Sequence, residues 1–136
     1  MTVYLDTNVL VRHLTQDPPE MGRSATELLA QSEDLYLPDL IVAETVYVLQ
    51  SVYQVPRPQV AALTRAIIGS RNIATDDPAV LIRAVDIYEH HRLSFADAYL
   101  VALAEADSGS AIASFDKGIG KVGTVRRIEP GLSGGR

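Results

Sequence analysis

The chain has 136 residues, 47% hydrophobic and 21% charged, with a formal net charge of −5. That is the length of one domain able to bury a core, and its acidic balance argues against indiscriminate binding to nucleic acid. It has no cysteine, which excludes disulfides, zinc–thiolate sites and thiol chemistry.

Thr2 to Leu5 is a short β-rich run, predicted as a buried strand. Asp6-Thr7-Asn8 is turn and cap chemistry, and Val9 to Leu14 predicts a short helix. Pro18-Pro19 opens a helix to about Gln31, with Met21, Ala25, Leu28 and Leu29 on one face. Leu35 to Leu37 is a second strand, and Pro38-Asp39 starts a helix through Glu44 to about Val52. Pro56 to Ile68 is amphipathic and stops near Gly69. Asn72 to Thr75 is a short strand, and Asp77-Pro78 opens a helix to about His91. Ser94 caps a helix to about Ala106, Gly109 breaks the chain, and strands follow at Ala111 to Phe115 and Thr124 to Ile128.

Strands alternating with helices predict an α/β fold, a parallel sheet flanked by helices on both faces. There is no internal repeat or linker, so a single domain over 1–129 is expected, with a flexible tail at 130–136. No uncharged apolar run approaches the roughly 18 residues of a membrane span. The first residues lack the basic start and long apolar stretch of a signal peptide. A soluble, cytoplasmic protein without membrane contact is therefore expected.

Four carboxylates stand in apolar surroundings. Asp6 closes Val3-Tyr4-Leu5, Glu44 is the only charge between Leu40 and Leu49, Asp97 is the only charge between Phe95 and Ala104, and Asp116 follows Ala111 to Phe115. Acids in such segments are expected to be buried, and burying an unpaired charge is costly. Asp6 and Asp116 each follow a predicted strand, and ligand sites in parallel sheets form outside the carboxyl ends of strands. Glu44 and Asp97 are expected in the first turns of helices that begin at the same edge. Together the four would repel one another. A hard divalent cation, magnesium or manganese, relieves that repulsion because it prefers carboxylate and water oxygens.

Each acid also has a structural reading. Asp6 and Asp116 can cap the turns they open, and Ser94-Phe95-Ala96-Asp97 matches a capping box. Glu44 is harder to place this way, since a helix dipole contributes only about 0.3–1 kcal/mol. His90 and His91 are adjacent on a helix end, so their side chains diverge by about 100°. They do not form the histidine pair of a metal-free ribonuclease, and His13 is isolated. An aspartyl-phosphate phosphatase would want a second acid at position 8, where Asn8 stands. The six tyrosines are scattered along helices and strands, which favours core and interface roles over a base-stacking platform.

Leu5-Asp6-Thr7-Asn8, Glu44, Ser94-Phe95-Ala96-Asp97-Ala98 and Ala113-Ser114-Phe115-Asp116-Lys117, in this order and spacing, resemble the PIN-domain ribonucleases. More narrowly, they resemble the VapC-type toxins of toxin–antitoxin pairs. The resemblance runs from Val3 to about Ile128. It implies metal-ligating, catalytic acids at Asp6, Glu44, Asp97 and Asp116, with magnesium or manganese as cofactor. Thr7, Asn8 and Ser114 match supporting polar positions. Ile119 departs from the pattern, where an aromatic is common, and this affects packing rather than chemistry. The implied activity is endoribonucleolytic: water attacks an RNA phosphodiester and leaves a 5′-phosphate and a 3′-hydroxyl. The implied partners are an antitoxin protein and a second copy of the chain. The alternative is a catalytically dead PIN module that binds RNA or protein, against which the four acids argue.

An RNA backbone approaching these acids needs nearby bases. Arg12, Lys117 and Lys121 are the closest in sequence. Residues 1–50 hold eight acids against Arg12 and Arg23, whereas Lys117, Lys121, Arg126, Arg127 and Arg136 face only Glu129.

Overall fold

Short parallel strands joined by helices build the chain. The computed structural model describes residues 1–131 and forms two compact units, Met1–Pro78 and the segment from Ala79 onward. Most of the sequence expected to form the tail, residues 132–136, lies outside the described residues.

The first unit contains β1 (Val3–Tyr4), α1 (Thr7–Thr15), α2 (Pro19–Gln31), β2 (Leu35–Tyr36), α3 (Asp39–Ser51), α4 (Arg57–Ile68) and β3 (Ile73–Ala74). The strands are parallel in the order β1-β2-β3, with Val3 opposite Leu35 and Leu35 opposite Ile73. Backbone bonds from Leu5 to the Tyr36 carbonyl and from Leu37 to the Ala74 carbonyl, both 2.9 Å, carry the ladder one residue further. Each crossover steps one strand in the same direction, so right-handed connections place all four helices on one face. Burial agrees with that geometry. Leu5, Leu35, Leu37 and Ile73 are buried on one side, while Tyr4, on the other parity, is 69% exposed.

Helix phase builds the core under the sheet. Val42, Thr45, Val46 and Leu49 of α3 are buried, as are Val60, Ala61, Thr64, Ile67 and Ile68 of α4. The buried hydroxyls of Thr45 and Thr64 donate to the carbonyls of Ile41 and Val60, each at 2.7 Å. Buried polar groups need such partners. The Asn72 side-chain amide donates to the carbonyls of Leu29 and Ser32 at 2.6 and 2.7 Å, tying the start of β3 to the end of α2.

The second unit contains α5 (Pro78–His90, which begins at the boundary), α6 (Phe95–Ala106), β4 (Ala111–Ala113), α7 (Lys117–Gly120) and β5 (Arg126–Ile128). β4 and β5 are parallel, with Ala111 opposite Arg126. Leu81, Val85, Ile87, Val101, Ile112 and Ile119 are buried, and Tyr88 meets Phe95 edge-on at 6.1 Å. Arg83 of α5 pairs with Glu105 of α6, which also accepts from Thr124. The Arg83 guanidinium, then Thr124, hold the Glu105 carboxyl below its usual range. The α/β class with parallel strands agrees with the expectation from sequence. The strands are shorter than predicted, and α7 replaces what reads in sequence as a simple turn.

α1 and α2 approach very closely. α1 ends on Gln16 in the left-handed region at φ 56°, and the Gln16 side-chain amide donates to His13, Gly22 and Thr26. A Cβ on Gly22 would stand 2.7 Å from the Gln16 Cα, a backbone atom. Gly22→Ala should therefore lower stability by about 1–3 kcal/mol, the usual cost of overpacking. Urea denaturation checks this, and an unchanged midpoint would mean that the two helices separate freely.

Candidate active site

Three of the four predicted acids or their neighbours cap a helix. Asp6 is the N-cap of α1, and its Oδ1 accepts from the Thr7 amide at 2.8 Å. Ser94 is the N-cap of α6, and its Oγ accepts from the Asp97 amide at 3.1 Å. Asp116 is the N-cap of α7, its Oδ1 accepting from the Gly118 amide at 2.8 Å. The Ser114 hydroxyl accepts from the Asp116 amide at 2.9 Å. The caps expected at Asp6 and Asp116 are thus present, and of the capping box at Ser94 the Ser94 half is formed. Capping leaves a second oxygen on Asp6 and on Asp116, so it does not compete with a ligand role.

Two expectations are corrected. Asp6, Glu44 and Asp116 are exposed, and Asp97 is half-buried, so none is the buried charge that its apolar neighbours suggest. Glu44 also lies in the second turn of α3, because the helix already begins at Asp39. Its neighbours in sequence are buried, but helix phase turns Glu44 outward, between exposed Leu40 and Tyr47.

In the first unit the carboxyl ends of the three parallel strands lead into Asp6, Asp39 and Asp76. Asp39 reads in sequence as a helix opener only, and Asp76 carries no sequence signal of its own. The parallel register puts them on the same edge as Asp6. Burial, then the negative charges of Asp76 and Asp39, hold the Tyr36 phenol above its ordinary value. Thr7 is buried beside Asp6, and its hydroxyl has no hydrogen-bond partner among the described residues. Asn8 is exposed at the start of a groove between α1 and α2. Arg12, also in that groove, donates to the Asp17 carbonyl at 2.9 Å. His13 pairs with the Thr26 hydroxyl at 2.8 Å, and burial lowers its pKa, consistent with packing rather than catalysis.

In the second unit the turn before α6 packs on α7: a Cβ on Gly118 would stand 3.2 Å from Leu93 Cδ2. The starts of these helices carry Asp97 and Asp116. Lys117 and Lys121 are exposed beside Asp116. Arg127 is tied down instead, donating to the Ser114 carbonyl and to Glu129 at 2.8 and 2.9 Å.

The donor chemistry fits a hard divalent cation. The candidates are carboxylates, and an orphaned buried hydroxyl at Thr7 suits a water or ligand. Among the described residues no group of three or more acids or histidines is arranged to hold a metal ion. Asp6 and Glu44 belong to the first unit, Asp97 and Asp116 to the second.

Acids at the carboxyl edge of parallel strands in an α/β fold place the candidate site where such folds bind ligands. Residues 3–125 match the family described as PIN domain, and the chain belongs to that family. PIN domains are generally nucleases, and membership supports a phosphodiester hydrolase at that coarse level. No curated protein gives a significant match. Among the described residues no helix is long and apolar enough to cross a membrane.

Glu44 offers the cleanest separation of ligand from structural roles, because it is exposed and caps nothing. Glu44→Gln should leave metal-free stability within about 0.5 kcal/mol, as for ordinary surface changes. It should reduce the rise in melting temperature on adding manganese, since binding to the native state alone stabilises by mass action. An undiminished manganese effect would remove Glu44 from the site.

Proposed function

We propose that the chain is a magnesium- or manganese-dependent endoribonuclease, the toxin of a type II toxin–antitoxin pair, acting in the cytoplasm as a homodimer. The observation that carries the nuclease reading is the PIN-family match over residues 3–125 together with Asp6 and Asp116 held in rigid caps just past parallel strands. Asp6, Glu44, Asp97 and Asp116 would hold the metal. The bound ion would supply charge to offset the phosphate oxygens and would acidify a water.

The chain's own residues supply position. The Thr7 amide fixes the Asp6 carboxylate, and the Gly118 amide fixes that of Asp116. The Ser94 hydroxyl orders the first turn of α6, which carries Asp97, and the Ser114 hydroxyl sets the backbone at Asp116. Lys117 and Lys121 are available to phosphates, and Arg12, which spends one nitrogen on the Asp17 carbonyl, keeps further donors for the same role. A single folded nuclease domain over 1–129 fits this reading.

The partner assignments draw on two surfaces of the first unit. A groove of about 430 Å³ between α1 and α2, lined by Val9, Met21, Ala25 and Leu28, supports an antitoxin segment as ligand. Leu40 and Tyr47 of α3, with Val52 just beyond, leave large apolar side chains in water and support a contact with a second copy. In α4 the large residues Val60, Ile67 and Ile68 are buried, and only Pro58, Ala62 and Ala66 of its apolar residues are exposed, so α3 offers the larger apolar surface.

Cleavage of single-stranded RNA by the purified protein tests the reading. Asp97→Asn should lower the rate by at least about 100-fold, the scale of losing an electrostatic catalytic group, with the melting temperature held. EDTA should abolish wild-type cleavage, and manganese should restore it. Full cleavage by Asp97→Asn or in EDTA would contradict the mechanism.

A further inference from the structure

Although the tyrosines are scattered in sequence, the strand register brings two of them together. Tyr4 of β1 lies opposite Tyr36 of β2. Their ring centroids are 5.0 Å apart, with planes inclined by 52°. Both stand on the sheet parity opposite to the buried leucines, and Tyr4 is 69% exposed. The next residue across the sheet is Ala74 of β3, which is too small to cover Tyr36. The row therefore ends in a step beside an aromatic ring.

Aromatic side chains ordinarily gain stability by burial, and the paired rings at the β1 edge leave a flat apolar face open to a planar ligand. The charges nearby restrict what that occupant can be. The chain runs from these three strands into Asp6, Asp39 and Asp76. Fixed negative charge repels a phosphate. It does not repel an uncharged planar base. The phenol of Tyr36 can donate a hydrogen bond to a base edge.

We propose that Tyr4 and Tyr36 form a stacking platform for one unpaired nucleobase of single-stranded RNA, placing the strand two residues from Asp6. The platform rests on the nuclease reading for its substrate class. Each base has a π-face, so stacking of this kind tolerates sequence and requires an unpaired strand.

The chain contains no tryptophan, so Tyr4→Trp places a single indole on the platform. In the Asp97→Asn protein with magnesium, a single-stranded RNA oligonucleotide should quench that indole saturably. An abasic ribose-phosphate oligomer of the same length, or the same RNA as a duplex, should not. Tyr4→Ala should weaken binding of single-stranded RNA by about ten-fold, within the range for loss of one stacked base, and leave abasic binding unchanged. Tyr4→Trp should retain RNA affinity, which guards against a folding defect. No quenching, together with equal RNA affinity for Tyr4→Ala, would overturn the platform. Absence of wild-type cleavage would refute the nuclease reading separately, because binding and quenching do not depend on turnover. Quenching by a protein or peptide in place of RNA would also overturn it.

Discussion

The parallel register of β1, β2 and β3 is the constraint on which the first unit depends. Because side chains alternate along a strand, one choice of register sends Leu5, Leu35, Leu37 and Ile73 into the core and Tyr4, Tyr36 and Ala74 to the opposite face. A slip of one residue would exchange the two sets. The same register aligns the carboxyl ends of the strands, so the chain leaves all three into acids at one edge. Core burial fixes the register, and the register fixes the edge.

Capping then gives the acids their rigidity. A carboxylate that closes the start of a helix has one oxygen bound to a backbone amide, which holds its orientation before any ligand arrives. Asp6 and Asp116 use this device, and Ser94 gives Asp97 an ordered first turn. Glu44 has no such anchor and projects from the second turn of α3. It is the candidate with the most freedom to move toward a cation.

Most element positions can be read from the sequence because their signals are local. Pro18-Pro19, Pro38-Asp39 and Ser94 mark helix starts, and the observed helices begin within a residue of them. The first two apolar runs are longer than the strands they form because Leu5 and Leu37 are buried and bonded but lie at the ends of the ladder. The exposure of the acids is hidden in the sequence for a specific reason. Counting apolar neighbours ignores phase: Val42, Thr45, Val46 and Leu49 share the inner face of α3, whereas Leu40, Glu44 and Tyr47 share the outer one. The pairing of Tyr4 with Tyr36, and the company of Asp39 and Asp76, depend on register between distant segments, for which the sequence carries no local signal. Close approach at Gly22 is likewise invisible until Gln16 is placed beside it.

The account turns on these acids being metal ligands as well as caps. Calorimetric titration of the purified protein with manganese, without RNA, measures this most directly. The account predicts saturable binding by the wild type that is lost in Asp6→Asn, while circular dichroism shows the helices intact. Binding of equal affinity in Asp6→Asn, or no saturable binding by the wild type, would contradict it.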